Sequence, residues 1–488
     1  MNPAQSSSWQ GRVAYALLLV MIVLTPWPWG SVGTPAQSTL LLLTGAALAL
    51  CQFAAESRRW PQGRTFRLGV AAWIIWLMWL ASSLIPLPPS WLGSLSPSAY
   101  LLHQSVATLG VEPAYTLSTE PVASRADLLT ATGLFGLYLL AASCVRSARR
   151  RQGLLIVLAL VAGLQALYGL GMTMTGKEIG FLEKKIYGRG WATGTFVNRN
   201  HFAHLLALGA AATLALLMAS RSPAVSASGW RGMVLRLLNW VMSSALVWRV
   251  LLLALLSATV LSQSRMGNVV LPVILIFGVL LWTALHDRGR LLTAGVLLAS
   301  FAVADLWIVN RYYGLERVAN RLEETELETE QRTVALRDLQ PLIETYALTG
   351  SGGGSFQSAF LAHQSPQLKG LYDHAHNEYA EFAIEHGLPG LAWVLVMGLL
   401  HFGHALRLLA LRRNPATRAI GLAGAMALLA VALHALSDFI LHIPALRTWV
   451  VVFMGVLAGA SAKAYASRRG RAQVSGLKEE VSNSGLIP

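Results

Sequence analysis

The 488-residue chain is 55% hydrophobic and only 12% charged, whereas soluble domains carry about 25% charged residues. This composition excludes a soluble multidomain enzyme and indicates a polytopic α-helical membrane protein. The formal net charge of +15 would fit a nucleic-acid partner. However, the Lys and Arg residues are concentrated in short segments between apolar runs, as in loops that set membrane topology. We therefore predict no nucleic-acid partner.

Apolar runs of membrane-spanning length recur along the chain. They predict an all-α fold with about twelve transmembrane helices. The predicted spans are residues 13–29, 37–54, 68–86, 128–145, 153–174, 201–220, 243–261, 268–286, 291–309, 378–402, 418–437 and 445–463. The chain is thereby divided into transmembrane helices one to nine at 1–309, a periplasmic loop with helices at 310–376, transmembrane helices ten to twelve at 377–465, and a disordered cytoplasmic tail at 466–488.

The loops alternate in charge along the chain. Basic residues follow each even-numbered span, and positively charged loops are retained in the cytoplasm. These residues are Arg58, Arg59, Arg64 and Arg67; Arg146, Arg149, Arg150 and Arg151; Arg221, Arg231 and Arg236; Arg288 and Arg290; Arg407, Arg412, Arg413 and Arg418; and Arg468, Arg469 and Arg471. Both termini are therefore predicted to be cytoplasmic, and the loop 310–376 is predicted to lie on the opposite side.

The loop 310–376 contains two distinct segments. The first, ERVANRLEETELETEQRTVALRDL, is highly charged, with oppositely charged side chains four residues apart, which is typical of a solvated helix. The second, LTGSGGGSF, predicts a flexible turn that ends this helix. The alternative for this turn is a nest of backbone N–H groups that binds phosphate.

Ionisable groups inside or at the edge of a membrane are costly and often functional. The polar groups close to the predicted spans all fall on the predicted non-cytoplasmic side. They are Arg189, Asn198, Asn200 and His201 in GRGWATGTFVNRNH; Arg265 in LSQSRMGN; Gly350 to Phe356 in GSGGGSF; His374, His376, Asn377 and Glu385; and Asp438 and His442 in SDFILHIP. The simpler interpretations are that Arg265 snorkels to the interface and that His376 is an interfacial histidine. His374 and His386 are expected to be bystanders.

A metal site with His374, His376 and His442 as ligands is the alternative to a metal-free site, but it is not predicted. The ligand spacing of zinc enzymes is missing. The two cysteines, Cys51 and Cys144, lie in or near apolar runs and form no metal motif. We therefore expect catalysis without a metal or another cofactor.

Four of these sequence elements together resemble the O-antigen ligase/polymerase superfamily of bacterial cell-envelope glycosyltransferases. They are GTFVNRNHF, SQSRMG in a short external hairpin, GSGGGSF at the end of a large external loop, and HNEYAEFAIEHGLPG at the start of the next span. The resemblance covers residues 185–445. The chain departs from the family pattern at Tyr379 and Ala380, where a leucine is common, but this is a packing position.

The resemblance implies a GT-C-like helical fold and a multi-pass protein of the bacterial inner membrane with a periplasmic active site. Proteins of this superfamily transfer a glycan from undecaprenyl pyrophosphate to an acceptor hydroxyl, without a nucleotide sugar. The acceptor is lipid A–core in a ligase and a second lipid-linked glycan in a polymerase of O-antigen or exopolysaccharide. A protein O-oligosaccharyltransferase is a further alternative. A transporter is an alternative outside this class. It should show two related halves, and the sequence shows no internal repeat.

The residue roles follow from the chemistry of a lipid-pyrophosphate donor. Arg265 is the first candidate for the pyrophosphate, because a guanidinium group binds phosphate bidentately and stays charged. His376 is the candidate base for the acceptor hydroxyl, and Asn377 is expected to orient it. Further candidates for contacts to the pyrophosphate or the glycan are Arg189, Asn198, Arg199, Asn200, Gly352 and Gly354. Supporting roles are expected for Glu385, Asp438 and His442, with Glu385 too far along its helix to contact His376.

Overall fold

The computed structural model describes residues 8–54, 60–181, 183–185, 189–220, 229–230, 233–234, 244–286, 295, 334–368 and 370–460. The predicted ninth span at 291–309 and the tail at 466–488 lie outside these ranges. So do most of the charged segment before residue 334 and the basic residues that follow the sixth, eighth and twelfth predicted spans.

Helices dominate the described residues, and the predicted all-α polytopic fold is confirmed. They are α1 (Trp9–Leu24), α2 (Thr34–Phe53), α3 (Arg64–Ser82), α4 (Pro89–Leu95), α5 (Pro97–Thr108), α6 (Pro121–Cys144), α7 (Ala148–Thr175), α8 (Arg199–Ala219), α9 (Ser244–Ser262), α10 (Arg265–His286), α11 (334–346), α12 (Phe356–Leu361), α13 (Glu378–Leu411), α14 (Pro415–His434) and α15 (Pro444–Gly459), with 3₁₀ turns at Trp29–Ser31 and Ile440–His442. The strand-like pairing in this part of the chain is an isolated bridge between Ile179 and Lys184.

Nine of the described helices are long and apolar enough to cross a membrane, namely α2, α3, α6, α7, α8, α9, α10, α13 and α14. Helices α1 and α15 are apolar but shorter, at 16 residues each. Each predicted span outside 291–309 therefore corresponds to a helix, with shifted ends. Helix α6 begins at Pro121 rather than at residue 128, and α13 ends at Leu411 rather than at residue 402.

Helix α8 lies at the centre of the bundle. Every residue from His201 to Leu217 is buried, as expected for a helix that is apolar on all sides. It packs against α7, α9, α10 and α14. A Cβ atom on Gly209 would lie 2.0 Å from the Cβ of Ala162 on α7, so the glycine permits a close approach of the two helices. The N-terminus of α8 therefore lies inside one end of the bundle.

The two ends of the bundle differ in chemistry. At one end, the guanidinium of Arg151 donates a hydrogen bond to the hydroxyl of Thr417 at 2.7 Å, close to the start of α14. At the other end, the hydroxyl of Ser264 donates to the side-chain oxygen of Asn200 at 2.8 Å. Among the described residues, the basic Arg151 and the predicted site residue Asn200 are thus separated along the helix axes.

Cysteine labelling tests the orientation of this bundle. In a variant in which the two buried cysteines are replaced by serine, a cysteine at the exposed Glu344 should react with a membrane-impermeant maleimide in intact spheroplasts. A cysteine at the exposed Arg149 should react only after the membrane is permeabilised. Labelling at Arg149 with protection at Glu344 would reverse the predicted orientation and move the candidate site to the cytoplasmic side.

Candidate functional site

His376 and Asp438 form a histidine–carboxylate pair at the polar end of the bundle. The Nδ1 of His376 lies 3.3 Å from Oδ1 of Asp438. Because an ionised carboxylate can only accept hydrogen bonds, Nδ1 is the nitrogen that carries the proton in this pair. The other ring nitrogen, Nε2, is then left able to accept a proton from a bound hydroxyl group. His376 therefore has the tautomer that a general base requires.

Asp438 is held in its ionised form by its neighbours. The residue is fully buried, and burial raises the pKa of its carboxyl, but the hydrogen bond from His376 and the attraction of the His201 and His376 rings in their protonated forms outweigh burial. The pKa of Asp438 consequently lies well below its ordinary value. The backbone N–H of Phe439 donates to the same oxygen at 2.9 Å. Asp438 can thus orient His376 and stabilise its protonated form.

The backbone of His376 is strained, with φ at +48°. Few residues other than glycine adopt this left-handed conformation, with asparagine, aspartate and histidine the commonest among them, and such conformations are concentrated at functional sites. In this conformation the imidazole of His376 lies beside Asp438, and the His376 side chain keeps 38% of its surface exposed. A substrate hydroxyl can therefore reach the ring from solvent.

The ring of Phe439 lies in contact with three histidines. It stacks on His374 with 4.0 Å between ring centroids and meets His201 and His376 edge-on at 4.9 and 5.1 Å. This phenylalanine was not predicted as a site residue. Its position explains why the imidazoles keep a fixed arrangement, since aromatic edge and stacking contacts have preferred geometries.

A second polar cluster adjoins the first through His374. Its Nδ1 lies 2.6 Å from Oε1 of Glu381, so His374 is part of the site rather than the bystander that the sequence predicts. His442 lies 3.0 Å from Oε1 of Glu378 and 3.4 Å from Oε1 of Glu381. Burial opposes its charge, but these glutamates and Glu385 raise the pKa of His442 to about 10. His442 is therefore a cation at neutral pH.

His374, Glu381 and His442 also satisfy the basic geometry of a metal site. One ligand atom from each lies within 4.8 Å of the others, and two imidazoles with one carboxylate are donors that transition metals accept. The same atoms are already paired with one another by charge and by hydrogen bonds. The expectation of metal-independent catalysis stays a prediction, with this trio as the place to test it.

The glycine-rich segment is a buried, ordered turn rather than the flexible one that the sequence predicts. Ser351 and Ser355 are fully buried. The N–H groups of Ser351 and Gly352 donate to carbonyls at positions 384 and 385 of α13, at 2.8 and 2.9 Å. A carboxylate oxygen of Glu385 accepts from the N–H of Phe356 at 3.0 Å. The side chain of Glu385 thus contacts this turn, and the N–H of Gly352 is already hydrogen-bonded to a backbone carbonyl.

Replacing Gly350 by alanine should destabilise this turn. Gly350 has φ at +73°, and an added Cβ would lie 2.2 Å from the carbonyl oxygen of Glu385. Gly370 is a matched control, with φ at +96° and no atom near its Cβ position. We expect Gly350→Ala to lower the free energy of unfolding by about 1–3 kcal/mol more than Gly370→Ala does, because it adds overpacking to backbone strain. Thermal unfolding of the two purified variants checks this, and equal melting temperatures would contradict it.

Two of the three asparagines of the predicted site cap helices. Asn377 caps α13 by accepting from the N–H of Ala380 at 3.1 Å, and Asn198 caps α8 by accepting from the N–H of Asn200 at 2.7 Å. Asn200 accepts from Ser264, directly before Arg265. Capping of this kind stabilises a helix start. Asn377 therefore orients the chain beside His376, while its predicted contact to a hydroxyl stays untested.

Arg189 lies on the loop before α8, Arg199 is the first residue of α8 and Arg265 is the first residue of α10. Arg265 is exposed at the first residue of α10. The guanidinium of Arg199 lies over the ring of Trp191 at 3.9 Å, and Arg189 donates from Nε to the carbonyl of Lys185 at 3.0 Å. Ser264, the residue before Arg265, is hydrogen-bonded to Asn200, and the residue after Asn200, His201, lies 3.9 Å from Asp438.

Sequence analysis missed a cavity beside the second cluster. It has a volume of about 650 Å³, and Arg447, Asp127 and His442 line one part of it. Arg447 was overlooked because it lies within an apolar span, and Asp127 because it precedes the predicted span 128–145. For Arg447, the signal that could have found it is the rarity of ionisable residues in predicted spans.

A comparison with known protein families gives one match. Residues 250–395 match the family described as O-Antigen ligase. The matched range includes Arg265, the glycine-rich turn and His376, and the resemblance predicted from the sequence elements is thereby confirmed. No curated protein matches the chain.

Proposed function

We propose that this chain, whose residues 250–395 match the family described as O-Antigen ligase, is an inner-membrane glycosyltransferase. It transfers a glycan from undecaprenyl pyrophosphate to an acceptor hydroxyl at the periplasmic face. Lipid A–core is the first acceptor to test, as in an O-antigen ligase. The observation that carries the proposal is the hydrogen bond between His376 and Asp438 at the polar end of a membrane-spanning bundle.

The proposed reaction exchanges one bond to the anomeric carbon of the donor glycan for another. The acceptor oxygen attacks this carbon while its proton moves to Nε2 of His376. The bond between the carbon and the pyrophosphate oxygen breaks, and undecaprenyl pyrophosphate departs with the electron pair. Asp438 stabilises the imidazolium that forms. The proton then leaves His376 for solvent, which its exposed side chain allows.

Cations near the leaving group lower the barrier. Arg265 is proposed to bind the pyrophosphate, because negative charge grows on the oxygens of the departing group. A preorganised donor aimed at such charge is worth about 3–4 kcal/mol of transition-state stabilisation. His442 is paired with Glu378 and Glu381, so its charge is compensated within this cluster and it is not proposed as a cation for the leaving group. Arg189 and Arg199 are proposed to contact the glycan or the outer phosphate.

A reconstituted assay tests the proposal. Purified protein in proteoliposomes receives a glycan linked to undecaprenyl pyrophosphate together with lipid A–core. Covalent transfer of the glycan, detected by gel mobility and mass spectrometry, is the expected result. A transporter would instead move the lipid-linked glycan across the bilayer with its covalent structure unchanged, and that outcome would contradict the enzymatic proposal.

Transfer should continue in excess EDTA. The positive charges proposed for the leaving group are arginines, so no step requires a divalent ion. We expect the initial rate in EDTA to stay within twofold of the untreated rate, which is roughly the noise of such assays. A twofold change corresponds to about 0.4 kcal/mol in activation free energy. Loss of transfer that one particular metal restores would instead make His374, Glu381 and His442 metal ligands.

A further inference from the structure

Three glutamates lie on one face of α13, in its first turns. Glu378, Glu381 and Glu385 are separated by three and four residues, and this spacing places side chains on the same face of a helix. All three are buried. Burying a carboxylate costs free energy unless the group is paired and hydrogen-bonded. The partners of Glu378 and Glu381 therefore indicate what these two residues do.

Glu378 holds the segment that carries Asp438 on both sides of that residue. The backbone N–H of Glu378 donates to the carbonyl of Ala435 at 2.9 Å. Its side-chain Oε2 accepts from the backbone N–H of Leu441 at 3.0 Å. Asp438 lies midway between Ala435 and Leu441 in the sequence. A single residue of α13 thus fixes both ends of the short segment from which Asp438 reaches His376.

Glu381 holds the segment that carries His376. Its Oε2 accepts from the backbone N–H of Ala375 at 2.9 Å, directly before His376. Its Oε1 lies 2.6 Å from Nδ1 of His374. On the other side of His376, the side chain of Asn377 caps α13. The left-handed backbone of His376, with φ at +48°, is thereby held between two hydrogen-bonded neighbours.

His442 joins the two glutamates. Its Nδ1 lies 3.0 Å from Oε1 of Glu378, and its Nε2 lies 3.4 Å from Oε1 of Glu381. The charge of the imidazolium offsets the repulsion between two carboxylates that are buried close together. Because His442 lies four residues after Asp438, it also connects the segment of Asp438 to the glutamate that holds the segment of His376. The two halves of the histidine–carboxylate pair are thus fixed relative to each other.

We propose that Glu378 and Glu381 are positioning residues for glycan transfer, and that each sets one half of the pair formed by His376 and Asp438. The inference rests on the proposed transferase function. The distance of 3.3 Å between Nδ1 and Oδ1 is already long for a hydrogen bond, so a small shift of either segment breaks the pair. Both glutamates are 1% exposed. They therefore act through the pair and do not touch the substrate.

Glu378→Gln and Glu381→Gln test the two halves separately. Each variant keeps the size of the side chain but offers one acceptor oxygen where the glutamate uses two. We expect each to lower kcat for transfer to lipid A–core by roughly 10–100-fold, since a displacement of about 1 Å can cost about 10²-fold. Affinity for undecaprenyl pyrophosphate and KM for lipid A–core should be nearly unchanged. Thermal unfolding of each purified variant reports whether the fold is kept.

Combination with Asp438→Asn distinguishes positioning from a general structural role. Once Asp438 supplies no ionised acceptor, no pair is left to position. Adding Glu378→Gln or Glu381→Gln should then lower kcat by less than about threefold more, because residues that act as a unit are not additive. Glu385→Gln is the matched control, since Glu385 shares the helix face but accepts from the N–H of Phe356 in the glycine-rich turn. Its effect on kcat should be the same with and without Asp438→Asn.

The outcomes separate this inference from the proposed function. If wild-type protein transfers glycan but both glutamine variants lower kcat by the same factor with and without Asp438→Asn, the glutamates do not act through the pair. A folded glutamine variant with the kcat of the wild type, or loss of the fold in both variants, would likewise overturn the inference. If only one variant folds, that variant decides. If wild-type protein transfers no glycan, the proposed function itself fails.

Discussion

His376→Ala should reduce turnover by roughly 10²–10⁴-fold, the usual contribution of a positioned general base. The variant loses the ring nitrogen that accepts the proton of the acceptor hydroxyl, while the cations proposed to bind the donor stay in place. Binding of undecaprenyl pyrophosphate should therefore be nearly unchanged. Single-turnover transfer in proteoliposomes gives the rate, and equilibrium binding of the radiolabelled lipid gives the affinity.

Asp438→Asn is the companion variant for this prediction. The amide keeps the size of the side chain but can no longer hold the Nδ1 proton of His376 as an ionised acceptor does, so turnover should fall with donor affinity preserved. The backbone strain at His376 should relax in His376→Gly, which therefore separates loss of strain from loss of the imidazole. Near-normal transfer by a well-folded His376→Ala protein would show that another group takes the proton.

Arg265→Ala should weaken binding of undecaprenyl pyrophosphate and lower transfer strongly. Arg265→Lys keeps the charge but loses the planar fork that contacts two phosphate oxygens, so transfer should still be impaired. Removing one such donor costs about 10²–10³ in turnover in other enzymes. Titration of both variants with the radiolabelled lipid, beside the transfer assay, measures the two effects.

The control for Arg265 is Arg407→Ala. Arg407 is also exposed, but it lies near the other end of α13, so its loss should leave donor binding and transfer unchanged. If Arg265→Ala binds the donor normally while Arg407→Ala does not, the phosphate site has been assigned to the wrong end of the bundle. If donor binding falls equally in Arg265→Ala and His376→Ala, the two residues share one site and their roles cannot be divided as proposed.

Hydropathy and loop charge were sufficient to predict the helical bundle, because the bilayer dictates the length and polarity of a span. Helix α8 was found although it is buried on all sides, since a buried helix and a lipid-facing helix are equally apolar. The first and last residues of the helices were less predictable. Helix α6 begins with PVASRAD, whose polar residues contact the glycine-rich turn instead of lipid, as the bond from Ser124 to the carbonyl of Gly353 shows.

The site residues that belong to sequence motifs could be predicted, whereas those that are brought together by packing could not. His376, Asp438 and His442 were singled out as ionisable groups near a membrane. Their pairing was not, because residues 376 and 438 are distant in the chain and belong to different segments. Phe439 was missed because a phenylalanine beside an apolar span appears ordinary. The turn at Gly352 appeared flexible, since the α13 carbonyls that bind its N–H groups are not visible in a local sequence window.

The most direct test of the proposed function is an electron cryomicroscopy map of the protein in nanodiscs with a non-cleavable phosphonate analogue of the undecaprenyl-pyrophosphate-linked glycan. The phosphorus-bearing density should lie at the guanidinium of Arg265. The first sugar should lie at the polar end of the bundle, within hydrogen-bonding distance of a group that Nε2 of His376 can reach. Density for the pyrophosphate near Arg149 and Arg150, at the opposite end of the bundle, would contradict the assignment of this site.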